Sequence, residues 1–172
     1  MAYRVFGWGS DALSRDSCSK PRLRGHVGSL RVMNASAVDR EHRTFEGVPM
    51  SAGAARRFVS DTLREHGASN AAIGDFALAV SELATNIIEH GDGSSLTIYV
   101  DISDSTCWEL EVVGGSCPPE SRVLRPDTWA VAAADEKSGR GLGIVRHLMD
   151  EISAESTDNE VSIRCRQKRA EG

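Results

Sequence analysis

The sequence has no apolar run near the ~20 residues a membrane-spanning helix requires. Its first ten residues, MAYRVFGWGS, lack the apolar stretch of a signal peptide. It has no excess of positive charge either. Twenty Lys and Arg stand against 25 Asp and Glu, a net charge of −5, which argues against broad electrostatic attachment to nucleic acid. No internal repeat is visible. A length of 172 residues accommodates one domain rather than two large ones and buries a core without staples. With 40% apolar and 26% charged residues, the composition is that of an ordinary globular chain. The expectation is a cytoplasmic protein that neither enters a membrane nor binds nucleic acid directly.

None of the four cysteines (Cys18, Cys107, Cys117, Cys165) forms a C-x-x-C pair or has a histidine at finger spacing, so a zinc site is not expected. Cys107 and Cys165 fall in strand-like apolar runs, as small core residues do. All four read as free thiols of a reducing compartment.

Residues 1–40 show no sustained period and read as an N-terminal extension, loop or partly disordered. Ser10–Gly28 is polar, and Leu30–Met33 offers one short edge strand. The domain itself is expected over 41–168, with a charged tail at 169–172. Thr44–Val48 reads as a short strand. A helix is predicted from Ser51, its N-cap, to about Glu65, with Ala55, Phe58, Val59, Thr62 and Leu63 as its apolar stripe and Gly67 as its stop.

Ser69 or Asn70 caps a second, stronger helix, from about Ala71 to His90. At about 100° per residue, Phe76, Val80, Leu83 and Ile87 share one face, with Ala77, Ala84 and Ile88 beside them. Glu82, Asn86 and Glu89 lie on the polar flank. Strict alternation then predicts strands at Leu96–Ile102 and Trp108–Val112, joined by a turn at Ser103–Thr106. A last hairpin is predicted at Ile152–Glu155 and Val161–Cys165, turning at Asp158-Asn159. One apolar face per strand implies a mainly antiparallel sheet covered by helices on one side, an α/β two-layer sandwich.

Two features carry chemistry. Gly139, Gly141 and Gly143 alternate just before a helix predicted at Ile144–Asp150. Glycines let backbone N–H groups approach an anion, and a helix start adds a favourable dipole; a plain turn is the alternative. The run is no P-loop, for it has no Gly-Lys-Ser/Thr ending, and Asp135-Glu136-Lys137 before it is no Rossmann strand. The second feature is Glu82 with Asn86, one helical turn apart. A carboxylate suits a general base and an amide oxygen a hard cation, while a solvated helix flank is the alternative.

Taken together, these motifs resemble those of the GHKL (Bergerat-fold) ATPases. Ser81-Glu82-Leu83-Ala84-Thr85-Asn86, followed by His90-Gly91, looks like their N-box. Gly139-Arg140-Gly141-Leu142-Gly143-Ile144-Val145 looks like their second glycine box. The wording is closest to the anti-sigma-factor branch of serine/threonine protein kinases. The resemblance implies a histidine-kinase-like ATPase fold and a protein that uses ATP and Mg2+ to phosphorylate a serine or threonine of an antagonist protein. Glu82 matches the general base. Asn86 matches the Mg2+ ligand. Gly139, Arg140, Gly141, Leu142 and Gly143 match the phosphate loop, and the stretch from Pro118 to Ser138 matches the lid over ATP. Implied partners are a sigma factor, a STAS-domain anti-anti-sigma protein and a second copy in a homodimer.

The sequence departs from that family at the adenine end. Where the family carries an Asp and then a Gly two residues on, this chain has Gly114 and Ser116. Asn159-Glu160 stands where the family's last strand begins Gly-Thr. The alternative function is therefore a non-catalytic protein-binding module that kept the fold with weak or no ATP binding. The lid carries Val123, Leu124, Trp129, Ala130 and Val131, with a short helical turn predicted at Trp129–Ala134. This apolar set either packs inward or, with the first helix, forms a docking face for a partner.

Overall fold

Chain order gives β1 (Tyr3–Phe6), β2 (Arg40–Phe45), α1 (Ser51–Glu65), α2 (Asn70–His90), β3 (Leu96–Asp101), β4 (Cys107–Gly115), α3 (Arg140–Leu148), β5 (Glu151–Ser156) and β6 (Glu160–Lys168). Two 3-10 turns, Arg122–Leu124 and Pro126–Thr128, follow β4. The structure is a computed structural model that describes residues 3–6, 40–129 and 140–170. The expected loop at Ser10–Gly28, the strand at Leu30–Met33, the turn beyond Trp129 and Gly139 lie outside the described residues.

The six strands form one sheet in the order β1-β5-β6-β4-β3-β2, and every pair is antiparallel. Alternation decides which face is dry. Leu96, Ile98, Val100, Leu110, Val112, Ile163 and Cys165 are at most 1% exposed and meet the helices. Their neighbours in sequence turn outward into an ion-paired layer. There Glu111 accepts from Ser162 Oγ at 2.5 Å and Arg164 Nη2 at 3.1 Å, and pairs with Arg40. Glu109 faces Arg164 and Arg166 at 3.3 and 3.2 Å. The result is the expected α/β two-layer sandwich.

The helix that positions the site is α2. Its Ser69 cap accepts from the Ala72 N–H at 3.2 Å. Phe76, Ala79, Val80, Leu83 and Ala84 are at most 1% exposed, and full burial of a large apolar side chain stabilises by about 1.5–3 kcal/mol. By length and a mean hydropathy of 1.4, α2 passes the test for a membrane span. It is instead the central core helix, packed on α1, α3 and β4.

Several boundaries differ from the sequence reading, each for a physical reason. Ser51 is the first residue of α1, not its cap; the cap position is Met50, which makes no side-chain hydrogen bond. Burial of Ala55, Val59 and Leu63 holds α1 without a cap, and Gly67, at φ 80°, ends it. Strand β2 begins at Arg40 and stops at Phe45, because pairing with β3 makes a strand of a mostly exposed polar edge that shows no alternation. Helix α3 starts at Arg140 rather than Ile144. Its glycines are poor helix formers, but Leu142 and Val145 are 3% and 0% exposed and dock it on the core. Cys117 and Cys165 are free, whereas Cys107 is disulfide-bonded, which corrects the expectation of four thiols.

Candidate functional site

Glu82 and Asn86 sit one turn apart on the half-buried flank of α2. Asn86 Nδ2 donates to the Glu82 backbone carbonyl at 2.7 Å. That bond fixes the amide so that Oδ1, the oxygen suited to a hard cation, stays available. The Glu82 carboxylate lies against Gly141 in the first turn of α3: a Cβ on Gly141 would overlap Glu82 Oε2 and crowd its Cδ. Only glycine admits the carboxylate there. The helix start is also where a negative charge is favoured.

The fold therefore brings Glu82, Asn86 and Gly141 to one place, although α2 and α3 are far apart in sequence. Arg140 is exposed beside them. The Leu142 side chain is in the core, so only its backbone can face a ligand, and Gly143 is buried with it.

At the other end of the site the sequence-derived positions behave differently. Gly114 is the last residue but one of β4, opposite Val161 of β6. A Cβ on Gly114 would overlap the Ile87 Cγ2 methyl, and one on Gly115 would overlap Asp92 Oδ1 and Ser94 Oγ. Ser116, just beyond β4, lines a cleft of about 600 Å3 with His90, Asp92, Cys117, Leu124 and Thr157. The cleft lies where the end of α2, the end of β4 and the β5–β6 turn meet.

Asp92 stands in the Gly91-Asp92-Gly93 stretch that follows α2. Its Oδ1 accepts from Ser94 N–H at 2.9 Å. Hydrogen bonds, first from the Ser94 side chain and then from backbone N–H groups, hold its carboxyl below the usual range. Burial pushes the Cys117 thiol up, and the fully buried Cys165 to about 12. The turn-forming pattern at Asp92 was a visible signal; its place on the cleft was not.

Val123, Leu124 and Trp129, the described members of the apolar set after β4, pack inward. They are 2%, 8% and 3% exposed, and Trp129 Nε1 donates to the Arg122 carbonyl at 2.8 Å. Of the two alternatives for these three residues, the structure takes inward packing. Among the described residues, no group of three His, Cys, Asp or Glu side chains is placed to hold a metal ion. A cation beside Asn86 would thus need oxygens from a bound phosphate, as Mg2+ commonly takes.

A one-sided antiparallel sheet, a core helix with Glu and Asn one turn apart, and a glycine-started helix against that Glu define an ATPase-type α/β sandwich. Residues 45–165 match the histidine kinase-like ATPase domain, and the chain belongs to that family. Among solved structures it is similar to the RsbU and RsbW domains of Rv1364c from Mycobacterium tuberculosis, with a TM-score of 0.53 and 17% identity. That match covers 78% of this chain and 34% of the other, so this chain spans about a third of the protein it resembles. No curated protein matches the sequence.

Proposed function

We propose that this protein is an anti-sigma-factor-like regulator that binds Mg-ATP and phosphorylates a serine or threonine of a STAS-type antagonist, controlling transcription in the cytoplasm by partner switching. The observation that carries the reading is the convergence of Glu82, Asn86 and the Gly141 backbone, with Asn86 Oδ1 left available by the bond to Glu82. The phosphate end fits the nucleotide: a glycine in the first turn of α3 and one hard-cation ligand. Mg-ATP supplies the transferable phosphoryl group and the charge that neutralises its oxygens. Asn86 holds the metal. The first turn of α3, with Arg140, Gly141, Leu142 and Gly143, faces the phosphates. Glu82 takes the proton from the acceptor hydroxyl. Ser116 belongs to the cleft that receives the rest of the nucleotide.

The second reading, a binding module without catalysis, is favoured by the Ile87 methyl that occupies the side-chain space beside Gly114. Calorimetric titration with ATP, with and without Mg2+, separates the two. Mg2+-dependent binding, followed by transfer of label from ATP to a STAS-domain protein, supports the kinase. Heatless titrations under both conditions, with no displacement of a fluorescent nucleotide, support the module.

A further inference from the structure

The cleft at the end of α2 is biased towards negative charge. Its described lining carries two carboxylates, Asp92 and Asp158, with His90, and no Lys or Arg. Such a wall repels phosphate and favours the donor-bearing end of a ligand. Leu124, Pro118 and Pro119 give the cleft an apolar side, and its volume of about 600 Å3 suits a small molecule. It also lies in line with the phosphate end of the site. Asn86 and His90 are one turn of α2 apart, about 6 Å along the axis, and Asp92 stands just past the helix end. A nucleotide with its phosphates at Asn86 and Gly141 passes His90 and brings its base towards Asp92.

Asp92 is exposed, yet its carboxylate is fixed in place. Oδ1 accepts from the Ser94 N–H at 2.9 Å. A Cβ on Gly115 would overlap this Oδ1 and the Ser94 Oγ, so the bare glycine at the end of β4 seats the carboxylate, as Gly141 seats that of Glu82. Hydrogen bonds from Ser94, with a smaller contribution from the Ser116 N–H, keep the group ionised and therefore an acceptor only at neutral pH. Oδ2, with two lone pairs, has capacity for a ligand donor. We infer that Asp92 is the residue that reads the base: its Oδ2 accepts a hydrogen bond from an exocyclic amino group, and Gly115 leaves the room that the carboxylate needs. This rests on the nucleotide-binding reading above and adds the class of nucleotide, one with an amino-bearing base.

Wild type, Asp92→Asn and Gly115→Ala are titrated calorimetrically with the Mg2+ complexes of three ligands: ATP, purine riboside triphosphate, which differs from ATP only in lacking the amino group, and inorganic tripolyphosphate. Asp92→Asn keeps an oxygen for the Ser94 N–H, and the methyl of Gly115→Ala meets only side-chain ends, so thermal melts should show both variants folded. Wild type is expected to prefer ATP over purine riboside triphosphate by about tenfold, the worth of one hydrogen bond to a charged group. Each variant should shrink that preference to about twofold or less and bind tripolyphosphate as wild type does. Equal binding of the two nucleotides by wild type overturns the role of Asp92 and leaves the nucleotide reading standing. So does a preference that survives in Asp92→Asn, including the case in which both nucleotides weaken together, as loss of a contact to the ribose would make them. A preference kept only in Gly115→Ala overturns the part given to that glycine. Absence of binding by all three ligands overturns both readings.

Discussion

The Glu82 carboxylate rests against Gly141, at the helix start that faces the phosphates in the proposed nucleotide complex. Two anions share one positive pole poorly. A carboxylate at a helix start is stabilised by about 0.3–1 kcal/mol, and a bound phosphate would have to share that pole with Glu82. Glu82→Gln is expected to strengthen Mg-nucleotide binding by about two- to fivefold and to abolish phosphoryl transfer. Calorimetry reads the first effect and label transfer the second; unchanged transfer would remove Glu82 from the chemistry.

Asn86 acts through the metal, so its loss reads out differently. Asn86→Ala should leave Mg2+-free binding as it is and remove the gain that Mg2+ brings. Titrations at several Mg2+ concentrations test this. A variant that keeps the full Mg2+ dependence would place the cation elsewhere.

Gly141→Ala tests the contact itself. The added methyl meets the far end of a flexible side chain, so the fold yields at little cost, and alanine gains up to about 1 kcal/mol of helix propensity over glycine. The melting temperature should hold or rise while transfer falls, because Glu82 is displaced. A variant with both wild-type stability and wild-type transfer would show that the contact has no part in the reaction.

How much of this was legible in the sequence depended on the range of the signal. The long period of Phe76, Val80, Leu83 and Ile87 announced α2, and the alternation of Leu96, Ile98 and Val100 announced β3. Both are local patterns tied to burial. Strand β2 was misplaced because its partners, not its own side chains, make it a strand. The start of α3 was missed because docking of Leu142 and Val145 overrides the weak propensity of Gly141 and Gly143. Glu82 and Asn86 were visible as a spacing. That Glu82 meets Gly141, and that Ile87 fills the space of Gly114, are contacts between distant segments that no local pattern encodes.

Acid stability follows from the hairpin between β3 and β4. Hydrogen bonds from the Thr106 hydroxyl and N–H, at 2.7 and 2.8 Å, hold the Asp104 carboxyl below its ordinary 3.8, with Arg166 adding to the effect. A lowered folded value means stability that is present above 3.8 and lost as pH falls through the folded value. Asp104→Asn should thus lower the melting temperature near neutral pH and narrow its gap to wild type as pH falls below 3.8. A gap that stays constant down to about pH 2 would show that this carboxylate adds nothing through its ionisation.

Trp129 of the proposed lid is buried, whereas Arg56 of α1 is exposed. Trp129 is 3% exposed, with its indole N–H bonded to the Arg122 carbonyl, so Trp129→Ala leaves a cavity and removes one of the two donors to that carbonyl, the Arg125 N–H remaining. A cost of about 3–5 kcal/mol is expected, read as a lower urea midpoint, and any loss of partner capture would follow from that loss of stability. Trp129→Phe keeps most of the volume and should cost nearer 1 kcal/mol, the net worth of the lost hydrogen bond. Arg56 is different: it is exposed on α1, where a charge reversal has little to disturb in the fold. Arg56→Glu should leave the urea midpoint unchanged and weaken capture of a sigma factor or STAS-domain protein, with a reduced salt dependence of the association rate. If Arg56→Glu binds every partner at the wild-type rate while Trp129→Phe, fully folded, does not, the docking surface lies on the lid after all.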